Sequence, residues 1–81
     1  VSSAVNYEDR IRKLLCDEFG LEENLDVNEK IFSSGFLDSM DVLTLIVLME
    51  KEFAIKVPVF EASLDMFDSI TEINKLIAKY Q

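Results

Sequence analysis

Histidine and tryptophan are absent from this 81-residue chain, and it holds a single cysteine, a single proline and two glycines. Without an imidazole there is no Ser-His or Cys-His couple, and the commonest general base is missing. Cys16 alone forms no intrachain disulfide and finds no histidine to join it in a zinc site. An unpaired cysteine fits a reducing compartment. Gly20 and Gly35 lie too far apart for a glycine-rich phosphate loop. Basic charge is also scarce, with 8 Lys and Arg against 16 Asp and Glu and a net charge of −8. Such a field repels nucleic-acid phosphates, whereas it attracts basic partners and keeps a small domain in solution. No run approaches the roughly 20 apolar residues of a transmembrane helix. Val1-Ser2-Ser3-Ala4 shows neither the basic nor the apolar region of a signal peptide. A soluble, cytoplasmic chain is expected.

One domain of this length buries only about 60–65% of the surface its unfolded chain exposes, so its core has to be well made. Residues 1–5 read as a loose tail. Asn6 and Asp9 have the spacing of a capping box, and Tyr7, Ile11, Leu14, Leu15 and Phe19 recur at helical intervals before Gly20 supplies a stop. This is the first predicted helix. Residues 21–37 show no sustained period and form a long loop, tied to the core by Leu25, Val27, Ile31, Phe32 and Leu37. The apolar run 42–49 suits a buried strand by composition. Asp38 and Asp41, however, form a second capping-box pair, and Glu50, Lys51 and Glu52 continue the segment without a turn. As a helix it sorts well, with Val42, Leu45, Ile46, Met49 and Phe53 on one side and Asp41, Thr44 and Lys51 largely opposite. A helix is therefore predicted. Residues 54–59 read as an extended link around Pro58, and residues 61–66 as a short helix. Ser69 and Glu72 box the start of the last helix, whose buried stripe is Ile70, Ile73, Ile77 and Tyr80 with Leu76 beside it. The fold class is all-α: a small bundle of three main helices plus a short helix before the last, with a long loop between helices one and two.

The segment Gly35-Phe36-Leu37-Asp38-Ser39-Met40-Asp41 carries the chemical signal. With Asp38 as cap, Ser39 takes the first helical position and its hydroxyl has no capping duty. Helix N-termini present unpaired amides and partial positive charge, which favours a phosphate there. The same serine is equally a plain helix-start residue. Other chemistry reads poorly. From Asp26 a calcium-type loop holds for three residues, and then Lys30 and Ile31 stand where a ligand and the turn glycine belong. Cys16 has no base near it in sequence and reads as an inert packed thiol.

Gly-x-x-Asp-Ser-Met-Asp opening an apolar helix, in an acidic chain of this length, resembles the acyl and peptidyl carrier protein family. The similarity runs from helix one through Ile55-Lys56-Val57-Pro58 to Ile77. It implies a single carrier domain over residues 1–81 with no catalysis of its own. The implied cofactor is 4′-phosphopantetheine, attached covalently to Ser39 within the Asp38-Ser39 motif. A phosphopantetheinyl transferase activates the serine hydroxyl, which attacks the pyrophosphate of coenzyme A. The arm's thiol then holds an acyl or aminoacyl thioester for a loading enzyme and a downstream synthase or transferase. Met40 replaces the usual leucine. Two residues, not one, separate Gly35 from Asp38, and Thr44 and Lys51 replace the acids common in fatty-acid carriers. With Val57-Pro58 and Phe67-Asp68-Ser69, these features look more like D-alanyl carriers and stand-alone carriers of specialised metabolism. A monomer is expected, with Met40, Leu43, Thr44, Val47 and Lys51 as the partner-binding face of helix two. The alternatives are an acidic helical interaction module and a degenerate carrier without the prosthetic group.

Overall fold

The computed structural model describes residues 6–58 and 63–80, and among them there are helices and turns but no strand. Helix α1 spans Glu8–Phe19, α2 Asp41–Phe53 and α3 Ile70–Tyr80, with a 3₁₀ turn at Leu64–Phe67 before α3. The all-α bundle expected from the hydrophobic periods is the one observed. The predicted tail and residues 59–62 of the link and short helix lie outside the described residues.

At the start of α1, Asn6 Oδ1 accepts the Glu8 amide at 3.0 Å. Asp9 does not complete the expected box; its carboxylate pairs with Arg12 at 3.1 Å. At the other end Gly20 adopts φ 73°, and its amide reaches the Cys16 carbonyl at 3.0 Å. That left-handed turn is cheap only for glycine, which is why the helix stops there.

The strand-or-helix choice for residues 42–49 is settled by burial. Val42, Thr44, Ile46 and Val47 each make a helix less favourable than Ala by up to about 0.7 kcal/mol. Against that, Leu45, Ile46, Met49 and Phe53 are all buried, at roughly 1.5–3 kcal/mol per side chain. Packing wins by a clear margin. These side chains meet Ile11 and Leu15 of α1, Phe67 of the 3₁₀ turn, and Ile70, Ile73, Leu76 and Ile77 of α3 in one core. The body of α3 lies against both α1 and the 3₁₀ turn.

The end of α2 is clasped to the start of α1. The rings of Tyr7 and Phe53 stand 5.0 Å apart, and the Arg10 guanidinium lies 4.6 Å from the Phe53 ring centre. Arg10 also donates to the Glu52 carbonyl and carboxylate at 3.0 Å each. Both partners of that ion pair are about half exposed, so it contributes at most about 1 kcal/mol and the ring packing dominates. Beyond α2, Ala54 takes a left-handed φ of 55°. Ile55 and Val57 are buried, and the Val57 amide donates to Glu50 Oε2 at 2.9 Å.

Leu25, Ile31, Phe32 and Leu37 of the long loop are buried, with Val27 packed beside them, as the sequence predicts. Its backbone is held as well. Arg12 Nε donates to the Leu25 carbonyl at 3.1 Å, and the Thr71 amide to the Val27 carbonyl at 2.9 Å. The short helix differs from expectation: it is a 3₁₀ turn at Leu64–Phe67, shifted towards α3 so that Phe67 is fully buried. At α3, Ser69 Oγ accepts the Glu72 amide at 3.2 Å. The Glu72 carboxylate, instead of closing the box, pairs with Lys75 at 3.5 Å.

Candidate attachment site and docking face

Leu37 is buried, and the chain then turns outward, leaving Asp38, Ser39 and Met40 exposed. Asp38 Oδ1 accepts the Met40 amide at 3.0 Å, and Asp41 Oδ2 accepts the Asp38 amide at 3.1 Å. The Asp41 amide reaches the Asp38 carbonyl at 3.0 Å, and the Val42 amide reaches the Ser39 carbonyl at 3.4 Å. The Asp41 half of the predicted box is therefore present, whereas Asp38 caps the Met40 amide in place of that of Asp41, and the two carboxylates bracket Ser39. One detail differs. Regular helix begins at Asp41, so Ser39 sits in the preceding turn and not at the first helical position. Three-residue bonds tighten this opening and shift the regular helix downstream.

That difference changes the electrostatics of the site. The Met40, Asp41 and Val42 amides already have acceptors, so they do not form the open anion cradle the sequence suggests. What remains is the weak positive end of α2, opposed by the Asp38 and Asp41 carboxylates. The Ser39 hydroxyl makes no hydrogen bond to any described residue. It is an exposed handle on a turn whose shape does not depend on it. These residues fit a covalently attached phosphopantetheine, since substitution of that oxygen displaces no bond and no core atom.

The outward face of α2 continues from this turn. Met40, Leu43 and Val47 are 77%, 56% and 53% exposed, and Thr44 and Lys51 are exposed beside them. Spacings of three and four residues align the three apolar side chains along one side. Lys51 also lines a surface groove of about 390 Å³ between α1 and α2, rimmed by Arg10, Lys13, Asp17 and Glu52. Phe36 was not among the predicted partner residues, yet it is 52% exposed three residues before Ser39. Its signal in the sequence is that it is the loop aromatic left over once Phe32 is assigned to the core.

Asp68 enters the sequence reading only as part of Phe67-Asp68-Ser69, and its role in the structure was not foreseen. It is buried between the 3₁₀ turn and α3, where Oδ1 accepts the amides of Phe32 and Ser33 at 2.8 and 3.0 Å. Oδ2 accepts the Ser33 hydroxyl. Burial works to raise its pKa, but the hydroxyl, the two amides and the positive charge of Lys30 together hold it below the ordinary value. Among the described residues no cluster of three or more Cys, Asp or Glu is placed to hold a metal. Cys16 is free and half-buried.

Residues 9–78 match the protein family described as "Phosphopantetheine attachment site". The chain belongs to this family of phosphopantetheine-binding carrier proteins. It is a carrier of acyl or aminoacyl groups and not an enzyme, and its prosthetic group is covalently attached 4′-phosphopantetheine. Over 63 residues, 76% of the chain and 78% of the relative, it is 38% identical to the D-alanyl carrier protein of Bacillus velezensis. Carrier proteins work with transferases and loading enzymes. No helix among the described residues is long and apolar enough to cross a membrane.

Proposed function

We propose that Ser39 is the attachment point of the phosphopantetheine arm, and that Met40, Leu43, Thr44, Val47 and Lys51 form the face on which partner enzymes dock. The observation that carries the assignment is the exposed Ser39 hydroxyl, unbonded to any described residue, on a turn locked from both sides by Asp38 and Asp41. When bound, phosphopantetheine supplies a thiol on a flexible arm, which holds cargo as a thioester.

The chain's own residues do the presenting. Asp38 keeps the Met40 amide engaged and so fixes the direction in which Ser39 leaves the surface. Met40, Leu43 and Val47 offer an enzyme an apolar contact beside the arm, and Thr44 and Lys51 lie exposed alongside them. A phosphopantetheinyl transferase, an acyl- or aminoacyl-loading enzyme and a downstream synthase or transferase each have to cover this same face, which favours a monomer that keeps it open. Identity to a D-alanyl carrier supports an aminoacyl cargo. The free Cys16 suits the reducing cytoplasm as the working compartment, with one carrier domain over residues 1–81.

Intact-mass measurement after incubation with coenzyme A, magnesium and a broad-specificity transferase tests the assignment. The wild-type chain gains one phosphopantetheine, whereas Ser39→Ala keeps its helical circular dichroism and gains none. Incorporation into Ser39→Ala overturns the assignment, and so does a folded wild-type chain that is never modified.

A further inference from the structure

We propose that Asp68 is a positioning residue for the Ser39 site: from the junction of the 3₁₀ turn and α3 it holds the loop that sets the turn carrying the serine. The inference rests on Ser39 being the attachment point. Three consecutive loop amides end on this one residue. The Ile31 amide donates to the Asp68 carbonyl at 2.7 Å, and the Phe32 and Ser33 amides donate to its carboxylate at 2.8 and 3.0 Å. The Ser33 hydroxyl takes the other carboxylate oxygen. A carboxylate is the side chain that accepts three donors through two oxygens, and hydrogen bonds to a charged acceptor are roughly twice as strong as neutral ones.

From that clamp the order passes along the chain towards the serine. The Gly35 amide returns to the Phe32 carbonyl at 3.1 Å, and the Leu37 amide to the Ile31 carbonyl at 3.1 Å. Gly35 makes the return with φ 92°, a left-handed conformation that suits glycine. Residues 31–37 thus form a closed turn with Ile31, Phe32 and Leu37 buried beneath it, and Asp38 and Ser39 follow directly. On its downstream side Ser39 is held by the Asp38–Asp41 bonds to the start of α2. On its upstream side it is held by the loop that Asp68 fixes. Apolar burial keeps this loop down, but burial is non-directional. The carboxylate fixes which way its amides, and hence the outgoing chain, point. A transferase meeting a loosened loop has to order it on binding, which weakens binding while leaving the chemistry at the hydroxyl intact.

The test compares Asp68→Ala, Asp68→Asn and Ser33→Ala with the wild-type apo chain, using transferase kinetics and amide hydrogen exchange. Asp68→Ala is expected to raise the transferase's KM for the chain about tenfold with kcat within about twofold. Exchange at Phe32, Ser33 and Leu37 should quicken by at least about tenfold, with Ile11 and Ile73 unchanged. Asp68→Asn keeps an amide-accepting oxygen and should recover most of the KM. Ser33→Ala, which removes one bond, should fall between Asn and Ala. If Asp68→Ala does not fold, the order wild type, Asn, Ser33→Ala still decides the matter. Faster loop exchange with unchanged KM overturns the proposal, as does a KM rise accompanied by uniformly faster exchange, which marks lost global stability. A wild-type chain that is never modified refutes the attachment reading instead, and the loop exchange still reports whether Asp68 is the clamp.

Discussion

Met49 and Val47 are two residues apart on α2, and their substitution by alanine separates the buried face from the proposed docking face in one experiment. In a helix such a pair lies about 200° apart and faces opposite ways, whereas in a strand it shares a face. Met49 is 1% exposed and Val47 53% exposed. Met49→Ala removes a fully buried side chain and leaves a cavity, a change that costs about 2–5 kcal/mol. Val47→Ala gives up a partly solvated side chain in exchange for a better helix former, so its effect is expected within about 0.5 kcal/mol of zero. For a domain of this size each kcal/mol moves Tm by roughly 4–8 °C, so Met49→Ala should melt at least about 8 °C lower and Val47→Ala within about 4 °C of wild type. Native stability at this length is only about 4–12 kcal/mol, so the larger loss takes a substantial share. Thermal and urea unfolding followed by far-UV circular dichroism measure both. Comparable losses at the two positions refute the face assignment, and with it the availability of Val47 to a partner.

Two further outcomes follow from the docking face and the buried carboxylate. Met40→Ala and Val47→Asp should slow loading by the cognate enzyme while leaving the fold intact, with little salt dependence because positions 44 and 51 carry no acid; Thr44→Glu should alter partner choice more than stability. Unchanged loading kinetics across a salt series for both Met40→Ala and Val47→Asp place the docking surface elsewhere. Asp68 is held below its ordinary value of 3.8, so its stabilisation is complete above that pH and is lost as pH falls through its lower folded-state value. The stability gap between wild type and Asp68→Asn, from urea midpoints, should be constant above about pH 5 and shrink in acid. A gap that persists unchanged through the acid limb contradicts a depressed carboxylate.

Much of the site was legible because its bonds are local. Asp38 and Asp41 are three residues apart, and the bonds their carboxylates take from the Met40 and Asp38 amides are set by spacing wherever the chain turns into a helix. Likewise, Val42, Leu45, Ile46, Met49 and Phe53 declare one face by period alone, and the exposure of Met40, Leu43 and Val47 is its complement. Position at the helix end was less legible. Whether Ser39 opens the helix or sits in the turn before it depends on three-residue bonds that no residue type announces.

The sequence by itself determined the helices, their caps at Gly20 and Ser69, and a serine set between two acids at the mouth of α2, because each is decided within a few residues. Tertiary structure decided what lies across the core. Asp68 is 35 and 36 residues from its amide donors, and Arg10 is 42 residues from Glu52, so no local pattern pairs them. In sequence, Asp68 is one acid among 16. Only when α3 packs on α1 and the long loop buries its apolar residues in the shared core do its oxygens meet the Phe32 and Ser33 amides, because burial brings distant segments together and leaves their polar groups to find partners there.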